Sequence, residues 1–187
     1  MIPIKIMSNS NPIEIQLSKF KLTLMLLGCF LFVGSGICFV TNPTKYESFI
    51  MRSSTIIFVA GLLGILFFGF LSFFFFKKLS DKSPGLIISD EGITDNSSGL
   101  SAGFIPWADI IAIKESKVVN QKFINIIVKN PQVYIDRQNS TFKRKTMQTN
   151  YNYFRSAIGI SANGLKINYS NLKTLLEKKF SDFNNKI

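Results

Sequence analysis

The chain lacks histidine altogether, and it has only one tryptophan and two cysteines among its 187 residues. The absence of histidine removes the commonest general base and the commonest transition-metal ligand. The cysteines, Cys29 and Cys38, fall in one apolar stretch, nine residues apart. In a helix of that kind they cannot pair with one another, and they provide neither a zinc site nor a cytoplasmic nucleophile.

Motifs typical of enzymes are missing as well. No P-loop, dinucleotide fingerprint or Gly-x-Ser-x-Gly motif occurs in the sequence. The acidic residues Asp90, Glu91, Asp95 and Asp109 could form a metal site or a carboxylate pair, but three of the four lie in or near a turn, where such residues are expected without a function. The sequence therefore predicts a protein that is not an enzyme and that needs no cofactor or metal.

Charge is absent from two long apolar runs, residues 22–40 and 56–76. Each run is long enough to cross a bilayer core of roughly 30 Å as a helix. A buried core helix of this length would show a polar stripe, which neither run has. A cleaved signal peptide fits the first run poorly, because the leader before it is long and contains Glu14. We therefore predict a transmembrane helical hairpin over residues 22–76, with a short external loop at 41–55.

Lysines flank both runs and set the expected orientation. The predicted juxtamembrane anchors are Lys19, Lys21, Lys77, Lys78 and Lys82, whereas the connecting loop carries only Lys45 and Arg52. By the positive-inside rule, both termini are expected in the cytoplasm and the loop outside. Within the hairpin, Ser53 to Thr55 can cap the second helix, and the small residues Ala60 and Gly64 predict close helix packing.

Residues 84–187 have the composition of an ordinary globular domain. The segment "GLIISDEGITDNSS" predicts a β-hairpin, and "AIGISANGLKIN" predicts another around Asn163-Gly164. Between them, "DIIAIKESKVV" and "FINIIVKN" predict an antiparallel pair joined near Asn120-Gln121. Within the N-terminal segment 1–21, "IEIQL" alternates like a half-buried strand that could add to an edge of this sheet.

Helices are expected in the remainder of that domain. Pro131 opens a segment that lacks strand alternation and fits one or two short helices. The C-terminal segment has leucines and phenylalanines at helical spacing, and Ser170 is the expected N-cap. Several antiparallel strands followed by one amphipathic helix outline a half-open barrel of the pleckstrin-homology-like (PH-like) type. The predicted fold class is thus a membrane-anchored α+β protein.

The blocks "PGLIISDEGITDNSSGLSAGFIPWADI", "KNPQVYIDRQNSTFKRK" and "ISANGLKINYSNLKTLL" resemble those of an uncharacterised bacterial family of membrane proteins. Members of that family have two N-terminal transmembrane helices and a C-terminal PH-like cytoplasmic domain. The likeness extends to "IEIQLSKFK" and covers nearly the whole chain. It implies a multi-pass protein of the bacterial inner (cytoplasmic) membrane, and it transfers no catalytic residue.

The only tryptophan, Trp107, lies in "GFIPWADIIAI". Pro106 pre-sets the backbone for a tight turn between two strands. We predict a structural corner in which Trp107 plugs the core and Asp109 bonds local backbone amides. An aromatic membrane anchor is the alternative role for Trp107.

Basic residues outnumber acidic ones by 22 to 11, and a candidate membrane- or partner-facing surface comprises Arg137, Lys143, Arg144 and Lys145. Near anionic headgroups, each such charge contributes about 1 kcal/mol. A solvated helix face is the competing interpretation, and nucleic acid is disfavoured because no stacking platform or reader motif accompanies the charges.

The function predicted from the sequence is that of a non-catalytic membrane protein. Its cytoplasmic PH-like domain would be a binding module for an unknown protein partner or for the anionic leaflet. The alternative is an immunity or stress protein that protects the membrane against a toxin.

Overall fold

A computed structural model describes residues 11–48 and 53–186. Two compact units divide the chain: a hairpin unit, residues 18–82, and a sheet unit formed by residues 1–17 and 83–187. The class is α+β, with two long apolar helices near the N-terminus followed by antiparallel sheets. Parts of the predicted N-terminal segment and external loop, including Arg52, lie outside the described residues.

The hairpin unit consists of two long helices. Helix α1 spans Lys19–Thr41 and α2 spans Ser54–Ser80, so both extend beyond the predicted boundaries of 22 and 76. Ser18 caps α1, because its side chain accepts a hydrogen bond from the Lys21 amide. Ser53 is the N-cap residue of α2. Both helices are long and apolar enough to span a membrane, and 11% of the most apolar stretch of each is buried.

The two helices approach each other closely at Gly36 and Gly61. A Cβ atom added to Gly61 would lie 2.8 Å from the Gly36 carbonyl oxygen, and one added to Gly36 would lie 2.9 Å from the Gly61 carbonyl oxygen. The prediction that Ala60 and Gly64 form the contact is wrong for Gly64, which has no neighbouring atom within 4 Å of such a Cβ. Phe32 and Phe68 stack with ring centroids 4.3 Å apart. Because Gly36 contacts Gly61 and Phe32 contacts Phe68, the two helices are antiparallel.

The first sheet contains four antiparallel strands in the order β1 (Ile13–Ile15), β2 (Leu86–Ile88), β3 (Gly92–Asp95) and β4 (Gly103–Pro106). Strand β1 pairs along β2, with Ile13 opposite Ile88. The alternating segment "IEIQL" therefore supplies an edge strand, and the hairpin unit is inserted in sequence between two neighbouring strands of one sheet.

The second sheet contains β5 (Ile110–Val118), β6 (Gln121–Val128) and β7 (Ile158–Ile160), again antiparallel. The predicted hairpin around Asn163-Gly164 does not form. After β7 the chain turns, Leu165 makes an isolated bridge with Leu17, and the Lys166 amide donates to the Gln16 carbonyl. The turn itself forms, because the Leu165 amide donates to the Ala162 carbonyl at 3.1 Å, but the fully buried Leu165 then pairs with the N-terminal segment and not with β7.

Three helices complete the sheet unit: α3 (Pro131–Asp136), α4 (Thr141–Phe154) and α5 (Tyr169–Asn184). Pro131 occupies the first turn of α3, where its missing N–H costs nothing. The predicted cap of α5 at Ser170 is wrong. Asn168 caps that helix, because its side chain accepts from the Asn171 amide at 2.8 Å.

The core of the sheet unit is aliphatic. Isoleucines point inward from both sheets, and α5 contributes two buried leucines. The fully buried side chains of the sheet unit include Trp107, Ile88, Ile93, Ile105, Ile124, Ile126, Met147, Ile158, Ile160, Leu165, Leu172 and Leu176. Because side chains alternate along a strand, the residues between these positions on β6 lie on the opposite face of the second sheet.

Candidate membrane-binding surface

Helix α4 carries most of the predicted basic surface. Ser140 occupies its N-cap position, and Arg155 ends it in the left-handed conformation with φ 56°. Met147, at the middle of the helix, is fully buried and holds one face of α4 to the domain. The opposite face of the helix is consequently left to solvent.

Two large aromatic side chains lie on that solvent face. Phe142 is 69% exposed and Tyr153 is 78% exposed. They are eleven positions apart in sequence, which is close to three helical turns, so they lie on the same side of α4. Lys145, also exposed, falls between them on the helix surface.

The cations of α4 are unopposed within the helix, since its sequence contains no acidic residue. Arg144 and Lys145 are exposed and Lys143 is half-buried. All three lie near the N-terminal end, where positive charge is unfavourable to the helix dipole. The surface that we call the α4 face is defined by Phe142, Tyr153 and Lys145; Arg144, two positions from Phe142, is exposed on the other side of the same helix.

Arg137 does not belong to this face. Its guanidinium donates hydrogen bonds to the backbone carbonyl oxygens of Ala102 and Phe104. It also lies over the ring of Tyr134, with its central carbon 4.3 Å from the ring centroid. The side chain therefore joins α3 to the start of β4, although the sequence placed it with the basic cluster.

Asp109 has a partner different from the one expected. Its carboxylate accepts a hydrogen bond of 2.7 Å from the Tyr134 hydroxyl, whereas backbone amides were predicted. Burial, and then the bond to this carboxylate, raise the pKa of Tyr134 above its ordinary value. Asp109 thus holds α3 to the corner between β4 and β5.

Trp107 is 1% exposed. Its indole Nε1 donates to the Ser89 carbonyl oxygen at 2.9 Å, and its ring lies 6.3 Å from that of Phe180 on α5. It opens a single 3-10 turn that begins directly after Pro106, the last residue of β4. The corner therefore contacts the β2–β3 turn and the C-terminal helix.

The five flanking lysines lie at the ends of the helices. Lys19 and Lys21 are in the first turn of α1, and Lys77 and Lys78 are in the last turns of α2. Lys78 forms an ion pair of 3.3 Å with Asp81. Lys82 is exposed and follows the end of α2.

An exposed polar cluster joins β5 to α5. The Glu115 carboxylate accepts from the Lys173 ammonium at 3.2 Å and from the Tyr169 hydroxyl at 3.1 Å. These two bonds, the first being the larger influence, lower the pKa of Glu115. Partial burial, with the bond to Glu115, raises the pKa of Tyr169 to about 12.

Within residues 11–48 and 53–186, no three or more acidic or cysteine side chains come together in a way that could hold a metal ion. The exposed aromatics of the α4 face, Phe142 and Tyr153, were not identified by the sequence analysis. Their spacing on a helix that lacks acidic residues was the signal that could have identified them. No family model, curated protein or solved structure matches this chain.

Proposed function

We propose that this protein is a non-catalytic binding module anchored in the bacterial inner membrane, and that its α4 face binds the anionic lipid of the cytoplasmic leaflet. The observation that carries this proposal is the combination of exposed Phe142 and Tyr153 with Lys145 on one face of a helix that has no acidic residue and that exposes a second cation, Arg144. Aromatic rings favour the membrane interface, and cations beside them favour anionic headgroups.

The two long helices support membrane anchoring. Helices buried in a soluble core are mostly covered by protein, but these are only 11% buried over their most apolar stretches. Lysines near the start of α1 and the end of α2 favour an arrangement with both termini in the cytoplasm. On this arrangement the sheet unit lies in the cytoplasm.

The order of elements in the sheet unit supports a PH-like architecture. Four antiparallel strands are followed by three more, and the chain closes with an amphipathic helix that buries Leu172 and Leu176. Two features depart from the simple pattern: the first strand precedes the hairpin unit, and α3 and α4 are inserted between β6 and β7. The proposed lipid-binding surface lies on α4, within the insertion between β6 and β7.

The expected strength follows from the charges. Each cation near an anionic surface contributes about 1 kcal/mol, so Lys145 on the α4 face contributes about that much, and Lys143 and Arg144, which project in other directions, contribute less. An energy of about 1 kcal/mol corresponds to roughly a fivefold shift in the docking equilibrium. Because the attraction acts between exposed charges, it weakens as ionic strength rises.

The test uses the full chain in lipid nanodiscs, in which amide hydrogen exchange is followed by mass spectrometry. Nanodiscs of phosphatidylcholine alone are compared with nanodiscs that also contain phosphatidylglycerol. We expect slower exchange in α4 only with the anionic lipid, and we expect Arg144→Glu with Lys145→Glu to remove this protection. The matched control reverses Lys166 and Lys178, two exposed lysines outside α4.

Equal exchange of α4 in both lipids at low salt would contradict leaflet binding. Loss of protection in the control variant as well would show that net charge alone, and not the α4 face, is responsible. Replacement of Phe142 by Ser separates the aromatic contribution, because it leaves every charge in place.

A further inference from the structure

A cavity of about 280 Å³ lies in the sheet unit, on the face of the second sheet that points away from the core. One wall is the sheet surface, with Phe123 and Asn125 on β6. Helix α4 forms another wall through Asn150 and Phe154, and the loop before β4 forms a third. The volume approaches the lower end of small-molecule pockets, about 300 Å³.

Hydrogen bonds to the Asp95 carboxylate hold the loop before β4 in place. This carboxylate, 3% exposed, accepts from the amide and the hydroxyl of Ser97 at 2.9 and 2.6 Å and from the Ala102 amide at 3.0 Å. Three hydrogen bonds to one buried carboxylate fix both ends of the segment that contains Ser98 and Leu100. The cavity is therefore bounded by an ordered wall.

Asn125 is the unusual residue of this cavity. It is 6% exposed, and its side-chain amide makes no hydrogen bond with any residue in 11–48 or 53–186. No side-chain polar atom in those residues is both fully enclosed and unsatisfied, so the Asn125 amide is reached through the cavity that it lines. An amide that opens only into this cavity can form hydrogen bonds only with water or with a ligand that enters the cavity.

The residue next to this amide on the neighbouring strand has no side chain, so the space beside the amide is open. Gly159 on β7 is the residue opposite Asn125 in the sheet. A Cβ atom at position 159 would lie 3.5 Å from the Asn125 Oδ1 atom, so any larger side chain would extend over the amide. Glycine at this position keeps the amide accessible.

The remaining lining determines what the amide can recognise. It includes the apolar side chains Leu100, Val118, Phe123 and Phe154, and no charged residue among those that the structure describes lines the cavity. The Ser156 hydroxyl is already engaged, because it bonds to backbone of β6 and β7. An ionised ligand would thus be desolvated without a counter-charge, which is strongly unfavourable.

We propose that this cavity binds a small, uncharged, planar ligand that presents a carboxamide or lactam edge to Asn125. An asparagine amide offers one acceptor oxygen and one donor nitrogen on the same edge. The complementary edge is another amide, which accepts from the nitrogen and donates to the oxygen in two parallel hydrogen bonds. Phe123 and Phe154 then contact the apolar body of the ligand.

The probe for this site is benzamide, which combines a carboxamide with an aromatic body small enough for the cavity. Saturation-transfer NMR on the full chain in nanodiscs measures its binding, and benzoate serves as the anionic analogue of the same shape. We expect saturable binding of benzamide and at least about tenfold weaker binding of benzoate, because the lining has no cation to compensate the charge.

Two substitutions test the assignment to the cavity. Asn125→Leu removes the amide at similar volume, and Gly159→Val fills the space above it. Both should weaken benzamide binding by about tenfold or more, the loss expected for hydrogen bonds left unmade. Asn152→Leu is the matched control, since Asn152 is exposed on α4 and does not line the cavity.

The melting temperature separates a binding amide from a structural one. Asn125→Leu is expected to melt at or above the wild-type temperature, because it removes a buried amide that has no protein partner. A large drop in melting temperature would assign the amide a structural role and overturn the proposal. Absence of saturable benzamide binding, equal binding of benzoate, or equal losses in Asn125→Leu and Asn152→Leu would each overturn it as well.

Discussion

Replacement of Trp107 by alanine tests whether the corner between β4 and β5 stabilises the sheet unit. The side chain is 1% exposed, it donates to the Ser89 carbonyl oxygen, and its ring lies beside Phe180. The substitution would therefore leave a large cavity where the β2–β3 turn meets α5. It would also remove the hydrogen bond that holds the turn.

The magnitude follows from the size of the buried ring. Truncation of a buried tryptophan to alanine costs about 3 to 5 kcal/mol, because the surrounding structure fills only part of the cavity. For a domain of this size, that loss lowers the melting temperature by roughly 15 °C or more. Trp107→Phe, which keeps an aromatic ring but loses the indole N–H, should have a smaller effect, about 1 to 2 kcal/mol.

The assay is hydrogen exchange of the full chain in nanodiscs during urea unfolding, read from peptides of β2 to β4. Phe104→Ala is the neighbouring control, because Phe104 is 42% exposed on β4 and should lose less than about 1 kcal/mol. Suppose instead that Trp107→Ala leaves the urea midpoint unchanged and weakens docking to anionic nanodiscs. The ring would then act at the membrane surface, and the reasoning from burial would be refuted.

Four other outcomes are expected. Gly61→Ala should weaken association of α1 with α2, because overpacking costs about 1 to 3 kcal/mol. Spin-label distance experiments should then show a larger separation of the two helices, whereas Gly64→Ala should leave this separation unchanged. Arg137→Met should increase hydrogen exchange at β4, because two backbone carbonyls lose their donor; unchanged exchange would contradict this role. Since the pKa of Glu115 is lowered in the folded protein, its contribution to stability is present above the ordinary value of 4.5 and is lost as pH falls through the lowered one, so Glu115→Gln should flatten the acid limb of the melting-temperature profile. Deletion of residues 1–17 should increase hydrogen exchange in β2, and unchanged exchange would show that β1 does not protect it.

Local signals predicted much of this fold. The turn at Asp90 and Glu91, flanked by apolar segments, predicted the β2–β3 hairpin, and the alternation in "IEIQL" indicated the edge strand. The charge-free runs indicated two helices long enough to span a membrane. In each case the pattern depends on residues close together in sequence, so a single sequence contains the needed information.

The wrong predictions concern positions whose structure depends on contacts with residues distant in sequence. Asn163-Gly164 has the local chemistry of a hairpin turn, but the buried contact between Leu165 and Leu17 directs the chain elsewhere. Spacing of small residues along α2 could not show which of its faces meets α1, so Gly64 was chosen instead of Gly61. Arg137 was grouped with Lys143 by sequence proximity, whereas its partners lie more than thirty positions away.

The candidate sites were harder to predict than the fold. Cations and aromatics of α4 are visible in the sequence, but which of them face solvent depends on the burial of Met147. Asn125 gives no sequence signal, because an asparagine within an apolar strand is equally compatible with a satisfied core position. Only the tertiary structure shows that its amide has no partner in the part of the chain that the structure describes.

Insertion of the hairpin unit between β1 and β2 has a consequence for biogenesis. Ile15 and Leu86 are directly paired, yet a ribosome makes the first before both long helices and the second after them. Closing a flexible loop of about 70 residues costs roughly 4 kcal/mol of chain entropy. Because α1 and α2 are antiparallel, the end of α2 lies at the same end of the hairpin unit as the start of α1. Association of the two helices therefore offsets the entropy cost before the sheet assembles. On the proposed membrane arrangement, insertion of the two helices is the step that raises the local concentration of β1 near its partner, and the first sheet is completed only after that step.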